Sequence, residues 1–324
     1  MSSIKKKSLM RILIVLLGLS LLLTACQKGA EVETETPETP LEMETATVDT
    51  AAADEIENDL TSVPTAEDSG LNPLPADPIR ETFTTTDGVE LEGTFYPAAT
   101  TDAPLLVLMH WAPGDQTNWA AIAAWLQNRG LQQDLAAGGE PWLDSSWFPV
   151  LLEDVTFNVF TFTFRGCEGG CHEFDREGWK LDVEAAMVHI IGIENVDLSK
   201  VLSIGASIGA DGAAYGCHFF NTELGGCLGA FSLSPGGYLL TSYLDEVSML
   251  ENELLPRPAW CLYSAGDGES AAACEEADGQ LYQATEYEGS AHGMSLIVPE
   301  MEPNPLDELL RFIELYLDCD VCSL

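Results

Sequence analysis

Ser207 lies in Gly205-Ala206-Ser207-Ile208-Gly209, between an apolar run at 201–204 and an alanine-rich stretch that begins at Ala210. The G-x-S-x-G pattern gains meaning from that setting. A serine on a tight strand-to-helix turn presents its hydroxyl, and small flanking residues relieve the turn. A hydroxyl becomes a nucleophile only when a base takes its proton, and the base needs an acid to orient it. Three of the five histidines fit structural roles: His172 beside a cysteine in a polar loop, His189 within a helical pattern, and His218 late in the helix after Ser207. His292 is the candidate base, because Gly289-Ser290-Ala291-His292-Gly293 forms a flexible loop after the last strand pattern. Asp267 is the candidate acid, in Ala265-Gly266-Asp267-Gly268 at the carboxyl end of the strand pattern at 259–264, with Glu269 and Asp245 in reserve. Taken alone, Asp267 reads as a turn residue or a helix N-cap. The order Ser207, Asp267, His292 is the nucleophile, acid, base order of one triad architecture. Agreement of three positions weighs more than any one of them.

Acyl transfer passes through an oxyanion, which needs backbone N–H donors fixed in advance. Ile208, directly after the serine, is the expected first donor. The second is expected from the loop His110-Trp111-Ala112-Pro113-Gly114. This chemistry requires no metal and no organic cofactor.

The elements that would position these residues alternate. A hairpin is expected from 81–86 and 89–96 across Asp87-Gly88. A buried strand at 104–109 and a helix at 118–129 follow. Next come an exposed Gly-rich insertion at 131–147, a short helix from Pro149, a strand at 157–164 and a helix around 179–191. After Ser207 the pattern gives a helix to about 219, a strand at 228–233, helices near 238–250 and 269–277, a strand at 280–287 and an amphipathic helix at 306–317. Short apolar strands alternating with helices imply a mostly parallel sheet covered on both faces. Ligands of such sheets sit beyond the carboxyl ends of the strands, where the candidate residues fall.

Over nearly all of 81–318 the chain resembles the α/β-hydrolases, of the dienelactone hydrolase and acyl-peptidase-like esterase type. The likeness rests on Asp87-Gly88 in the opening hairpin, His110-Trp111 where the family usually has His-Gly, and Phe164-Arg165-Gly166 after the fourth strand. It also rests on the Ser207 turn, Gly266-Asp267 and Ala291-His292-Gly293. The resemblance implies an eight-stranded-type sheet and hydrolysis of a small ester-like molecule (a carboxylic ester, a lactone or a thioester) through an acyl-enzyme on Ser207. It implies that His110 is structural, that Trp111 or Ala112 supplies the second oxyanion N–H, and that Arg165 braces a loop. Trp111 in place of the usual glycine could instead wall a narrow, apolar acyl pocket. Two other functions fit the same pattern: a serine peptidase, for which the chain lacks a propeller domain to filter peptides, and a surface binding protein without turnover.

The compartment is read from the N-terminus. Lys5, Lys6, Lys7 and Arg11 precede an apolar run at 12–23 that ends in Leu23-Thr24-Ala25-Cys26. That run is shorter than a spanning helix and has the layout of a signal peptide. Its ending resembles a bacterial lipobox, which implies removal of 1–25, lipidation of Cys26 and attachment to a membrane in the cell envelope, outside the cytoplasm. Residues 26–78 read as an acidic disordered tether, with fourteen Asp or Glu, one Lys and no aromatic residue between 27 and 78. Residues 79–324 read as one catalytic domain, expected as a monomer. The chain's net charge of −40 argues against nucleic acid and disfavours anionic substrates. Eight cysteines besides Cys26 fall into sequence-local couples, 167 with 171, 217 with 227, 261 with 274 and 319 with 322. In an oxidising compartment these read as disulfides rather than a redox or thiolate metal site.

Overall fold

Strands covered on both faces alternate their side chains between two cores, and the central strands here do so. In a computed structural model, which describes residues 75–129, 139–152 and 154–317, Leu105, Val107 and Met109 pack into one core while Leu106 and Leu108 pack into the other. The elements are β1 (Ile79–Thr84), β2 (Glu90–Tyr96), β3 (Ala103–Met109), α1 (Ala120–Leu126), β4 (Asn158–Phe162), α2 (Arg176–His189) and β5 (Val196–Ala206). They continue with α3 (Ile208–Glu223), β6 (Cys227–Leu233), α4 (Tyr243–Glu251), β7 (Ala259–Ser264), α5 (Gly268–Glu276), β8 (Tyr282–Tyr287) and α6 (Pro305–Leu317). The strands form one sheet of eight in the order β1-β2-β4-β3-β5-β6-β7-β8. Only the β1/β2 and β2/β4 pairs are antiparallel. Helices α2, α3, α4 and α5 line one core through Trp179, Phe220, Leu250 and Cys274. Helices α1 and α6 line the other through Ile122, Trp125, Leu309 and Phe312. The fold class expected from the alternation is the one observed.

One expected helix is absent because side chains take the carbonyls that it would need. No helix starts at Pro149. The Pro149 carbonyl accepts the Trp125 indole N–H at 2.6 Å, and those of Leu152 and Val155 accept from Asn128 Nδ2, each at 2.7 Å. The part of the insertion within the described residues is not merely exposed. It makes two 3-10 turns, Pro141–Leu143 and Ser145–Trp147, with Trp142 buried. Residues 75–78, expected in the tether, contact the end of α1: Gln127 Nε2 donates to the Ala76 carbonyl at 2.9 Å, and Arg129 pairs with Asp77 at 2.9 Å.

Helix α4 begins at Tyr243, not near Tyr238 as expected, because the preceding loop is bound elsewhere. Asp211, in the first turn of α3 and 2% exposed, accepts from the Gly236 N–H at 2.7 Å and the Tyr238 N–H at 2.6 Å. Arg176 donates to the Leu239 carbonyl through Nε at 2.9 Å and a terminal nitrogen at 2.6 Å. Burial outweighs these N–H bonds and pushes the Asp211 carboxyl up to about 7. The chain joins Cys167 to Cys171, Cys217 to Cys227 and Cys261 to Cys274. Cys26, Cys319 and Cys322 lie outside the described residues, as do the signal peptide and most of the tether.

Two measurements follow from this packing. The Asp211 pKa is raised on folding, so the folded chain holds a proton that the unfolded chain releases between about pH 4 and 7. That contribution to stability is full below the unfolded carboxyl pKa and is lost as pH rises through about 7. Urea unfolding across this range will show the wild type losing stability relative to Asp211→Asn, and parallel curves would refute the assignment. Replacing Cys217 and Cys227 by serine opens a cross-link of sequence separation 10, and denaturant titration is expected to show a loss of about 2–4 kcal/mol.

Candidate active site

Strand β5 ends at Ala206 and α3 begins at Ile208, so Ser207 alone turns the chain, at φ 54° and ψ −117°. A non-glycine residue there is strained, and the surroundings must hold it. A Cβ on Gly205 would lie 1.8 Å from the Gly209 carbonyl oxygen, and one on Gly209 would lie 2.2 Å from the Met109 oxygen. Both glycines are therefore required: α3 sits directly on the ends of β5 and β3. The Ser207 N–H donates to the Leu233 carbonyl at 2.8 Å, which ties the turn to β6.

His292 and Asp267 approach from the two strands beyond. The Ala265 N–H donates to the Tyr287 carbonyl at 2.9 Å and the Gly266 N–H to the Gly289 carbonyl at 2.7 Å, binding the loop after β7 to the loop after β8. The His292 Nδ1 lies 2.9 and 3.0 Å from the Asp267 carboxylate oxygens, and its Nε2 lies 2.8 Å from the Ser207 Oγ. A carboxylate only accepts, so Nδ1–H donates to it and Nε2 is left to accept the Ser207 proton. Asp267 stands at the N-cap of α5, yet its side chain makes no capping bond. Its carboxylate serves the histidine instead. Neither reserve acid reaches His292: Asp245 bonds Ser242 at the start of α4, and Glu269 faces Gly237.

The loop after β3 is pinned by its carbonyls. His110 is fully buried, and burial pulls its pKa down to about 4, so the ring is neutral. Its Nε2 accepts the Phe164 N–H at 2.9 Å, leaving Nδ1–H to donate to the Trp111 carbonyl at 2.7 Å. The Ala112 carbonyl accepts the Cys171 N–H at 2.7 Å. Across a trans peptide the Ala112 N–H points away from the Trp111 carbonyl. The N–H groups of Trp111, Ala112 and Ile208 meet no acceptor among the described residues. The Trp111 side chain walls the site: its indole N–H donates to Asn118 at 2.8 Å and its ring meets Trp142 edge to face at 5.5 Å. A Cβ on Gly293 would lie 3.0 Å from that ring and 3.6 Å from the Ser207 Cβ.

The remaining histidines stand apart. His189 stacks on Phe83 at 4.8 Å, His218 lies 3.5 Å from Glu253, and His172 is exposed. Arg165 braces loops, pairing with the Asp87 carboxylate at 2.6 and 2.9 Å and with Asp182 at 2.7 Å. The Arg165 guanidinium holds the Asp87 carboxyl well below the usual range. Burial pushes Asp182, inside the core, up to about 6 despite the same guanidinium. Three neighbours of the site escaped the sequence reading: Asp211, Trp142, and Tyr238, whose ring stands perpendicular to His292 at 6.1 Å. An acidic residue within Ile208-Gly209-Ala210-Asp211-Gly212-Ala213 was a readable signal. Tyr238 and Trp142 carried none.

No protein-family model matches the chain, and no curated protein matches it in sequence. Solved structures do. An esterase from Pyrococcus furiosus is 13% identical and superposes with a TM-score of 0.53 over 74% of this chain and 91% of that one. An α/β hydrolase from a Penicillium species is 12% identical, with a TM-score of 0.51 over 75% of this chain and all (100%) of that one. A dienelactone hydrolase from Anabaena variabilis is 11% identical, with a TM-score of 0.49 over 76% and 98%. With the strand order and the turn at Ser207, the first two give the architecture its name: the chain has the α/β-hydrolase fold.

Proposed function

We propose that this protein is a serine hydrolase that cleaves a small carboxylic ester, lactone or thioester through an acyl-enzyme on Ser207. The observation that carries the reading is the hydrogen-bonded relay from Asp267 through His292 to Ser207 on a strained turn. In this mechanism His292 Nε2 takes the Ser207 proton as the hydroxyl attacks the carbonyl. Asp267 stabilises the imidazolium, which then protonates the leaving group. The oxyanion is held by the N–H of Ile208 and by that of Trp111 or Ala112. Water activated by His292 releases the acyl group and regenerates the hydroxyl.

The same proposal has a place: cleavage after Ala25, lipidation of Cys26, and an acidic spacer holding a monomeric domain, 79–324, outside the cytoplasm of a bacterial cell. The Lys-rich start, the apolar run and Leu23-Thr24-Ala25-Cys26 support it, and three disulfides suit an oxidising compartment. Mass spectrometry of the membrane fraction should find an acylated Cys26, and Cys26→Ser should leave the chain unlipidated. An unmodified Cys26 in the membrane-bound protein sinks the anchor.

A fluorophosphonate probe should label the wild type but not Ser207→Ala, and a panel of p-nitrophenyl esters of increasing chain length should be turned over. Ser207→Ala or His292→Ala is expected to lower kcat on the order of 10⁴-fold or more. Asp267→Asn should lower it on the order of 10²–10⁴-fold with KM little changed. Labelling that survives Ser207→Ala excludes that serine as the nucleophile. A protein that labels yet turns over no ester or amide favours a surface binding protein on the same fold.

A further inference from the structure

The segment Cys167-Glu168-Gly169-Gly170-Cys171 lies against the loop after β3. It makes three contacts with that loop. The Cys171 N–H donates to the Ala112 carbonyl at 2.7 Å, and the Gly169 N–H donates to the Asp115 carboxylate at 2.9 Å. The third is a close approach: a Cβ on Gly170 would lie 3.0 Å from the Pro113 carbonyl oxygen. The Asp115 carboxylate also caps the turn Gln116–Trp119 through the Thr117 N–H at 2.8 Å. The loop offering Trp111 and Ala112 is therefore held on one side by His110 and on the other by the cysteine segment.

That segment has little intrinsic preference for its shape. Gly169 and Gly170 sit at φ +72° and +117°, and glycine gives up more conformational freedom on ordering than any other residue. Two backbone bonds close the segment on itself, Gly170 N–H to Cys167 and His172 N–H to Gly166, each at 3.0 Å. The Cys167–Cys171 disulfide adds a covalent closure to these two bonds. Among the three disulfides of the described residues this one alone has a cysteine that is not buried: Cys171 is partly exposed, whereas its partner Cys167 and Cys217, Cys227 and Cys261 are fully buried and Cys274 is 1% exposed.

We propose that the Cys167–Cys171 disulfide is a reducible latch that holds the oxyanion-donor loop in place, so that a thiol reductant slows acyl transfer without unfolding the protein. The step is thiol–disulfide exchange. A dithiol attacks one sulfur, the Cys167–Cys171 bond breaks, and the dithiol closes into its own disulfide. Two electrons and two protons pass to the cysteines. The inference rests on the proposed serine chemistry for its effect on rate. Its structural half, release of the Ala112 and Asp115 contacts, is independent of turnover.

The test treats the folded protein with dithiothreitol and alkylates the new thiols with iodoacetamide. Mass spectrometry locates the label, and three readouts follow: fluorophosphonate labelling of Ser207, ester kcat and KM, and amide hydrogen exchange at Gly169 and Cys171. Alkylation is expected at Cys167 and Cys171 before Cys217, Cys227, Cys261 and Cys274, with faster exchange at the Gly169 and Cys171 amides. Labelling rate and kcat should drop about tenfold or more, KM should change little, and thermal unfolding should remain cooperative. Reoxidation of an unalkylated sample should restore the rate. Cys167→Ser with Cys171→Ser should reproduce the slow state, while Cys217→Ser with Cys227→Ser should keep the wild-type kcat. If the serine variants do not fold, reduction of the wild type decides alone. Alkylation at Cys167 and Cys171 with an unchanged labelling rate overturns the latch, as does a rate loss that tracks unfolding. An oxidised wild type that neither labels nor turns over esters refutes the hydrolase reading instead. The exchange at Gly169 and Cys171 then decides the latch, and unchanged exchange overturns it.

Discussion

The close approach of the Gly209 backbone to the end of β3 sets the geometry of everything near Ser207. With a Cβ on Gly209 only 2.2 Å from the Met109 oxygen, no side chain can stand at Gly209, where the first turn of α3 meets the end of β3. The N-terminus of α3 therefore lies beside the loop that leaves β3, and the N–H groups of Ile208, Trp111 and Ala112 belong to one small region. A helix N-terminus with unused N–H groups favours negative charge. The same contact fixes the strained backbone of Ser207, since the turn cannot relax without driving two backbones together. Position, strain and electrostatic character come from one steric constraint.

Around that contact, buried polar groups set the loops, because each must find partners or destabilise the fold. His110 joins the end of β3 to the end of β4 by accepting from Phe164 and donating to Trp111. Asp211 joins α3 to the loop after β6, and Asp182 joins α2 to the backbone and side chain of Arg165. Burial raises both carboxyls, to about 7 and about 6. Their charged forms are tolerated through directed N–H donors, and the loops they hold gain fixed positions at the carboxyl ends of the strands.

Much of this was legible from local pattern. Short, continuously apolar runs in β3 and the end of β5, alternating with helical patterns, sufficed for the fold class. The order of Ser207, Asp267 and His292 sufficed to nominate residues that the structure brings within hydrogen-bonding distance. Failures came where a side chain distant in sequence overrode local preference. Asn128 and Trp125 took the carbonyls that a helix from Pro149 would have used, and Asp211 with Arg176 held 236–239 out of α4. The buried position of Trp142 depends on Trp111, thirty-one positions earlier. No window of sequence contains both the residue and its cause.

The three disulfides among the described residues have a consequence for how the chain matures. Their partners are 4, 10 and 13 residues apart, within one loop, between α3 and the start of β6, and between β7 and α5. Closing loops this short costs little chain entropy, and each pair becomes adjacent when a single strand–helix unit forms. Oxidation can therefore proceed unit by unit as the chain emerges, each bond selecting its partner by proximity before distant cysteines exist to compete. The covalent pattern is one that vectorial synthesis reaches without reshuffling.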